Sequence, residues 1–454
     1  MALGILVGLL VLVLSAVPVA SVLGILSFVL DEIAMDGRLT AGLAEIYWEK
    51  SKEFILVAVP MFILLGEIML RAGIARRMYG AVIQWLSWLP GGLMHANIGS
   101  CAIFAASSGS SVATAATVGT VAYPEIKKRN YNERLFLGSL AAGGTLGILV
   151  PPSINLIIYG LLTDTSVPEL YLAGIFPGLC LSALFMLSII GACIYRPSWG
   201  GTKIETNWGE RIRTLPHLLP PIILFVAVVG SIYGGIATPT EAASIGVMVA
   251  LIIAASFRTL NFKMLLESFE GTMRTTAMIM LIVFAAIFLN FVLGFMGITQ
   301  AMLEFIAAMG LTPVQTIYLI VVFYLLLGMF METLSMMLTT VPIVFPIVMK
   351  LGVPEFSDVW FGILITVLME AALITPPIGV NLYVVQGIRT RGGKFNDVAI
   401  GAIPFVVAML AMIVILISLP QLATWLPNLV YHEEPLVIRA SVLDGVNNGL
   451  DHRR

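Results

Sequence analysis

Charged residues are scarce in this chain. Lys, Arg, Asp and Glu make up 11% of its 454 residues, against roughly 25% in an average soluble protein. Hydrophobic residues make up 59% of the chain, and its mean hydropathy is +1.01. Because so few charges cannot cover a protein of this length with a polar shell, the composition excludes most soluble enzyme folds and disordered chains.

Basic excess, paired cysteines and clustered histidines are also missing. The formal net charge of −2 offers no electrostatic footprint for DNA or RNA. Cys101, Cys180 and Cys193 lie in separate apolar runs, so they form neither a disulfide framework nor a CxxC metal motif. The four histidines are dispersed and no HExxH motif occurs, which argues against an intramembrane metalloenzyme.

Long apolar runs are what the chain has instead. A helix needs about 20 apolar residues to cross a bilayer. Runs of this kind occupy residues 2–30, 54–70, 135–160, 170–195, 215–236, 242–257, 275–296, 360–386 and 400–426. The first run has no basic segment before it, so we expect a retained helix rather than a signal peptide. A polar tail begins at residue 431.

The distribution of Lys and Arg predicts the orientation. Most of the 24 basic residues fall in alternate loops, near residues 71–77, 127–134, 196–213, 258–274 and 389–394. The positive-inside rule places these loops in the cytoplasm, with the N-terminus cytoplasmic and the C-terminus periplasmic. Segments 96–123 and 314–349 then begin and end on the same side, so each is predicted to be a re-entrant hairpin, and the two enter from opposite sides.

The two halves also resemble each other. Thr117, Pro124 and Lys128 match Thr339, Pro346 and Lys350 at an offset of 222 residues. LGILVPPS (146–153) matches AALITPPI (371–378), Asn155 matches Asn381, and AGI (72–74) matches MGI (296–298), all in the same order. Chance similarity between apolar stretches is the alternative. Inverted repeats with paired interrupted helices are typical of secondary transporters.

Four breaks in apolar segments carry the candidate chemistry: 107–111 and 328–335 at the hairpin tips, and 143–153 and 374–381 at the Pro-Pro pairs. Unwound carbonyls and hydroxyls are suitable ligands for Na⁺, while close helix packing and simple proline kinks are the alternatives. A charged side chain such as Glu332 costs free energy when it lies at the depth of the bilayer core. It could balance Na⁺, take a proton, or accept hydrogen bonds from substrate hydroxyls. Glu67 and Glu370 are assigned packing roles.

Four motifs then resemble a known family: GSSVATAATVGTVAYPEIKKRNY, AAGGTLGILVPPSI, GGIATPTEAA and ITPPIGVNLYVV. They are similar to the large membrane subunit of tripartite ATP-independent periplasmic (TRAP) transporters, over nearly the whole chain. The resemblance implies an elevator-type fold of the ion transporter superfamily. It also implies two partners, a small four-helix membrane subunit and a periplasmic substrate-binding protein, and Na⁺-driven import of an organic acid such as a C4-dicarboxylate or sialic acid.

The resemblance also implies site residues. Substrate contacts map to Ser108, Ser153 and Glu332. The family often has Asp where this chain has Glu332. Sodium contacts map to Ser107, Ser110, Gly144 and Gly147 in the first half, and to Thr333, Thr375 and Gly379 in the second.

Together, these observations predict an all-α polytopic protein of the bacterial inner membrane with inverted repeats, two re-entrant hairpins and two proline-broken helices. We divide it into an N-terminal helix and outer loop (1–53), a first repeat (54–214), connecting scaffold helices (215–274), a second repeat (275–430) and a tail (431–454). The expected function is that of a Na⁺-coupled TRAP permease subunit. A stand-alone Na⁺/carboxylate symporter of the same superfamily is the alternative, and a channel would lack alternating access.

Overall fold

The computed structural model describes residues 17–202, 204, 206–377, 379–390 and 392–432. Most of the predicted tail and the beginning of the predicted first helix, residues 2–16, lie outside this range. Within it the backbone forms helices and short loops, and the sole β pairing of these residues is an isolated bridge between Tyr131 and Gly200. The all-α prediction is therefore confirmed.

The first half of the chain contains ten α-helices among the described residues. They are α1 (Val19–Met35), α2 (Leu43–Ser51), α3 (Ala58–Arg71), α4 (Ile74–Leu86), α5 (Leu93–Ser108), α6 (Ser111–Ala122), α7 (Glu125–Lys128), α8 (Glu133–Thr145), α9 (Ile154–Thr163) and α10 (Val167–Tyr195).

The rest of the described chain continues with eleven more. They are α11 (Trp208–Thr214), α12 (Leu219–Tyr233), α13 (Pro239–Ser256), α14 (Phe262–Phe295), α15 (Ile298–Ala308), α16 (Pro313–Gly328), α17 (Thr333–Met349), α18 (Asp358–Leu373), α19 (Val380–Ile388), α20 (Phe395–Ser418) and α21 (Gln421–Pro427).

Six helical segments of the described chain are long and apolar enough to cross a bilayer. They are Phe54–Arg71, Val167–Tyr195, Trp208–Tyr233, Pro239–Ser256, Phe262–Phe295 and Phe395–Ser418. They correspond to six of the predicted runs, and the largest difference is one helix that begins earlier than predicted. The helix predicted at 275–296 begins at Phe262, because the side chain of Asn261 accepts a hydrogen bond from the backbone N–H of Met264 at 2.9 Å and caps it.

Both predicted hairpins are present. Helices α5 and α6 pack against each other across Gly109 and Ser110, and α16 and α17 pack across residues 329–332. The four helices have 16, 12, 16 and 17 residues, short of the roughly 20 that a full crossing needs. Two short helices that turn back on each other are what a re-entrant hairpin requires.

Both predicted helix breaks are present as well. Helix α8 ends at Thr145, a single 3₁₀ turn follows at Leu146–Ile148, and α9 begins at Ile154. Helix α18 ends at Leu373 and α19 begins at Val380. Each gap contains a Pro-Pro pair, Pro151-Pro152 and Pro376-Pro377, and both of these peptide bonds are cis. Since proline has no N–H to donate, neither helix can continue through its pair.

The order of elements repeats between the halves. A spanning helix (α3 or α14) ends before a glycine with positive φ, Gly73 at +69° or Gly297 at +66°. A short helix follows, then a hairpin, a broken helix and a long helix (α10 or α20). The left-handed conformation that favours glycine explains why the matched AGI and MGI triplets both carry one.

The two halves interlock through their last helices. Helix α10 packs on α18 of the second half, and α20 packs on α8 of the first. The contact between α20 and α8 is so close that a methyl group on Gly138 would overlap the carbonyl oxygen of Gly401. Hairpins and broken helices of both repeats therefore form one packed body.

A separate layer consists of α1, α3, α13 and α14. Helix α14 packs on α1 and α3, and α3 packs on α13. Helix α4 leaves this layer with one apolar face buried, including Ile74, Met78 and Tyr79. Arg76 and Arg77 are exposed, so the helix is amphipathic.

Helix α4 has a partner that the sequence pattern did not reveal. The Trp85 and Trp208 rings meet edge to face at 6.3 Å. The guanidinium of Arg211 lies 4.9 Å from the Trp208 ring centre, and its Nε donates to the Gln84 carbonyl at 3.0 Å. Helix α11 is thus fixed to α4 by ring stacking and a hydrogen bond.

Candidate functional site

The tip of hairpin one exposes backbone and hydroxyl oxygens. Ser110 caps α6, and its carbonyl accepts from the Thr114 hydroxyl at 2.7 Å. The Ser107 hydroxyl donates to the Phe104 carbonyl at 2.8 Å, while the Ser108 and Thr114 hydroxyls lie 2.8 Å apart. Ser107 and Ser108 are buried. A hydroxyl that donates its proton inside the protein keeps oxygen lone pairs that can face a cation.

This tip lies directly against the first helix break. A Cβ on Gly109 would lie 2.9 Å from the Pro152 carbonyl oxygen, and one on Gly147 would lie 2.5 Å from the Ser110 carbonyl oxygen. A Cβ on Gly144 would lie 2.5 Å from that of Ala115. The two predicted sodium-site glycines are therefore positions where only a hydrogen allows the broken helix to touch the hairpin.

Ser153 lies at the far side of the same break. It caps α9, and its hydroxyl donates to the Ile148 carbonyl at 2.5 Å. Two residues on, the buried Asn155 has an amide nitrogen with no hydrogen-bond partner among the described residues. An unsatisfied buried donor costs free energy, so this amide is free to serve a ligand. The structure thus brings the predicted first-half residues into one cluster.

Hairpin two carries the acidic group. Glu332 is half-buried and caps α17. Its carboxylate accepts from the Ser335 backbone N–H at 3.1 Å, the Ser335 hydroxyl at 3.2 Å and the Thr333 hydroxyl at 3.1 Å. A carboxylate at a helix N-terminus is stabilised by the free N–H groups there. The predicted neighbours Glu332 and Thr333 therefore share one hydrogen-bonded unit.

The second break provides the remaining predicted ligands. The Thr375 hydroxyl donates to the Ala371 carbonyl at 2.6 Å, which leaves its oxygen available as an acceptor. Gly379 precedes α19 with φ +35°, and a Cβ there would lie 3.1 Å from the Thr375 carbonyl oxygen. Hairpin two reaches this break because Gly328 packs on Ala372.

Glu370 lies one turn before this break and is completely buried. Neither of its carboxylate oxygens has a hydrogen-bond partner among the described residues. Its burial agrees with an inward-facing position, whereas its lack of partners distinguishes it from Glu67, which pairs with Arg71 at the end of α3.

One side-chain contact joins the two breaks. The buried Asn381 donates from Nδ2 to the Ala141 carbonyl in α8 at 3.2 Å. Its own Oδ1 has no partner in the described part of the chain, and neither has Nδ2 of the repeat-matched Asn155. The repeat match paired these two asparagines in the sequence, but it did not show that each has a polar atom without a partner.

Two further features were missed by sequence reasoning. Asn97 joins hairpin one to its broken helix: it accepts from Tyr79 at 2.8 Å and donates to Ser139 at 2.9 Å. At the N-terminal end of α8, the buried guanidinium of Arg389 donates to Glu133 at 2.8 Å. No local motif marks either network, since the partners are far apart in the chain.

The kinds of ligand atom present restrict which ions the site could bind. No group of three or more His, Cys, Asp or Glu side chains in the described residues could hold a metal ion. What converges is neutral oxygen from carbonyls and hydroxyls, with a single carboxylate at hairpin two. Such ligands suit a hard alkali cation at a helix end rather than zinc or iron.

Comparison with known proteins decides the family. The sequence model of the family described as "Tripartite ATP-independent periplasmic transporter, DctM component" matches residues 6–422. The chain belongs to this family. It is the large permease subunit of a TRAP transporter and a multi-pass membrane protein, not an enzyme, as the sequence analysis predicted.

Curated relatives of this TRAP permease subunit cover most of its length. The C4-dicarboxylate TRAP transporter large permease protein DctM of Vibrio cholerae is 32% identical, over 92% of this chain and 95% of that protein. The ectoine TRAP transporter large permease protein TeaC of Halomonas elongata is 32% identical, over 83% of this chain and 87% of that protein. The sialic acid TRAP transporter large permease protein SiaM of Vibrio cholerae is 30% identical, over 83% of this chain and 87% of that protein.

A solved structure shares the fold of this TRAP permease subunit. The YdaH transporter of Alcanivorax borkumensis aligns with a TM-score of 0.62, covering 92% of this chain and 99% of that one, at 15% identity. This likeness agrees with the all-α polytopic fold that the sequence analysis predicted. At this level of identity, the similarity establishes a shared fold and nothing about function.

Proposed function

We propose that this TRAP permease subunit imports an organic acid across the bacterial inner membrane together with Na⁺. A periplasmic binding protein delivers the substrate, and a small four-helix membrane subunit completes the complex. The observation that carries the proposal is the contact of hairpin one with its Pro-Pro break, which brings the Ser110 and Pro152 carbonyls against Gly147 and Gly109. In the second repeat the end of hairpin two packs beside its break through Gly328 and Ala372. The named substrates of the relatives, C4-dicarboxylate and sialic acid, support the substrate class.

We assign one cation site to each repeat. In the first, Ser107 and Ser110 supply oxygens beside the close-packed Gly144 and Gly147. In the second, Thr333, Thr375 and Gly379 do so next to the carboxylate of Glu332. The substrate contacts Ser108, Ser153 and Glu332. Because Glu332 repels an anion, a bound cation is needed to neutralise it before an organic acid can approach.

The packing supports an elevator movement. The hairpins and broken helices are joined through α10, α20 and the Asn381 hydrogen bond, whereas α1, α3, α13 and α14 pack mainly on one another. The first group is the moving body and the second is the scaffold. In this proposal the N-terminus is cytoplasmic and the C-terminus periplasmic, as the Lys and Arg distribution indicates.

The decisive experiment is uptake into proteoliposomes. The full chain is reconstituted alone, and with its small subunit in the presence and absence of the binding protein, each in Na⁺ or in K⁺. We expect uptake only with the binding protein and Na⁺ both present. Uptake by this chain alone would instead support the stand-alone Na⁺/carboxylate symporter, and uptake unaffected by replacing Na⁺ with K⁺ would exclude sodium coupling in either case.

Thr375→Val supplies a matched variant for the cation site. It replaces the hydroxyl by a methyl group of similar size and removes one oxygen ligand. The concentration of Na⁺ that gives half-maximal uptake should rise. Thr163→Val is the control, because the Thr163 hydroxyl also donates to a carbonyl, at 2.8 Å, but lies at the end of α9 away from the break.

A further inference from the structure

A cavity of about 590 Å³ lies between the scaffold and hairpin one. One wall is the junction of α3 and α4, from Leu70 to Arg77. The other is the face of α6 that carries Thr117, Thr120 and Val121. It is separate from both helix breaks, so the transport site described above does not account for it.

Two cations line this cavity. Arg76 and Arg77 are exposed, and no Asp or Glu of the described residues lies within ion-pair distance of either. The Arg77 guanidinium rests 4.5 Å from the centre of the Phe257 ring, which holds it in place. By contrast, Arg71 just upstream pairs with Glu67 and Glu267. The cavity therefore has two positive charges that the described protein leaves uncompensated.

A buried hydroxyl also lines it. Thr114 and Thr120 donate to the carbonyls of Ser110 and Ala116, both at 2.7 Å, as threonines in helices commonly do. Thr117 is only 8% exposed, yet its Oγ1 has no partner among the described residues. A buried hydroxyl without a partner is costly. Thr117 lines the cavity, so its hydroxyl is a hydrogen-bonding group that the described protein leaves unused.

The remaining walls are apolar and belong to Leu70, Ala75, Ala116 and Val121. A small polyanion would gain nothing from them, whereas a molecule with one acidic group and a hydrocarbon body would use both parts of the cavity. Helix α4, with one apolar and one basic face, is suited to lie at the membrane surface, where lipid phosphates are found. Basic pockets between membrane helices commonly hold acidic lipid headgroups.

We propose that this cavity binds an acidic phospholipid. Arg76 and Arg77 pair with the phosphate, Thr117 donates a hydrogen bond to a lipid oxygen, and the acyl chain lies along Leu70 and Val121. Such a lipid touches α4 and hairpin one at the same time. It therefore links the scaffold to the part of the molecule that carries the first cation site.

The test measures lipid binding to the full chain in detergent. Phosphatidylglycerol or phosphatidylcholine is added to delipidated protein, and bound lipid is counted by native mass spectrometry together with the thermal unfolding midpoint. Phosphatidylglycerol should bind and raise the midpoint, and phosphatidylcholine should do neither. With each basic residue near a membrane surface contributing about 1 kcal/mol, Arg76→Gln/Arg77→Gln should weaken phosphatidylglycerol binding about thirtyfold.

The control double variant is Lys127→Gln/Arg213→Gln. It removes the same charge from two exposed basic residues that have no ion pair within the described residues and do not line the cavity. It should bind phosphatidylglycerol as the wild type does. Thr117→Val should weaken binding without lowering the midpoint of the lipid-free protein, because the hydroxyl has no protein partner to lose.

Three results would overturn the proposal. Equal losses in the two double variants would show general surface attraction rather than a site. Equal binding of phosphatidylcholine would remove the need for an acidic headgroup. The same rise in unfolding midpoint with glycerol 3-phosphate or inorganic phosphate would assign the cavity to a free anion instead of a lipid.

Discussion

Replacing Glu332 by Gln separates two roles that the structure assigns to one carboxylate. Glu332 accepts three hydrogen bonds of 3.1–3.2 Å, and the one from the Ser335 backbone N–H caps α17. It also lies among the proposed second-site residues. Losing an N-cap costs about 1 kcal/mol of stability. Losing a charge-assisted contact to a ligand costs about 1.5–3 kcal/mol, which corresponds to a roughly 10- to 150-fold loss of affinity.

The two effects are measured separately. Thermal unfolding in detergent reports the cap, and Na⁺- and substrate-dependence of uptake in proteoliposomes reports the ligand contact. We expect a small loss of stability and a much larger loss of apparent affinity. Glu332→Asp keeps the charge and is itself a favourable capping residue, so it should retain most uptake.

Ser335→Ala provides the matched control for capping. It removes the Ser335 hydroxyl that donates to Glu332 at 3.2 Å but leaves the carboxylate and the backbone bond in place. Uptake should stay close to that of the wild type. If Glu332→Gln also transported at wild-type affinity while losing stability, Glu332 would be only a cap, and its assignment to the site would be wrong.

Three other predictions concern packing and charge. Gly147→Ala forces a methyl group against the Ser110 carbonyl, so it should cost about 1–3 kcal/mol and raise the Na⁺ concentration for half-maximal uptake. In the control Gly191→Ala nothing lies within 4 Å of the new methyl group, so it should leave that Na⁺ concentration unchanged and stabilise its helix by up to about 1 kcal/mol. Arg389→Gln should lower the unfolding midpoint, because the arginine side chain is 3% exposed and pairs with Glu133. Since Glu133 is 38% exposed, we expect about 1–2 kcal/mol rather than the larger cost of a fully buried pair, and the exposed Arg274→Gln should have no effect. Burial alone would raise the pKa of Glu125, but hydrogen bonds from Lys128 and Arg129 outweigh it and lower that pKa. Glu125→Gln should therefore destabilise the protein at neutral pH, and its unfolding midpoint should converge with that of the wild type as pH falls through the depressed pKa.

Much of the architecture follows from features that are local in the sequence. Each Pro-Pro pair ends a helix whatever surrounds it, so both breaks were predictable from single motifs. The hairpins could be predicted from the side of the membrane on which their flanking basic residues lie. Gly73 and Gly297 could be matched because the same backbone turn requires the same residue in both halves.

The remaining features depend on contacts between distant residues. Nothing near Arg389 indicates that its partner is Glu133, and nothing near Trp85 indicates Trp208. Asn155 and Asn381 could be paired by the repeat, but only packing shows that each keeps a polar atom without a partner. The additional first turns of α14 were missed because residues 262–274 are too polar for a hydropathy search, whereas the Asn261 cap determines where the helix begins.

The hydrogen bond from Asn381 to the Ala141 carbonyl has a consequence for biogenesis. Its partners are 240 residues apart, and α8 also packs on α20, which begins only at Phe395. The segment around Ala141 has therefore left the ribosome long before the helices that cover it are made. Until translation is nearly finished, α8 has its contacts with α5 and α6 but lacks those with α19 and α20. The closing step of assembly therefore belongs to the last helices to be synthesised.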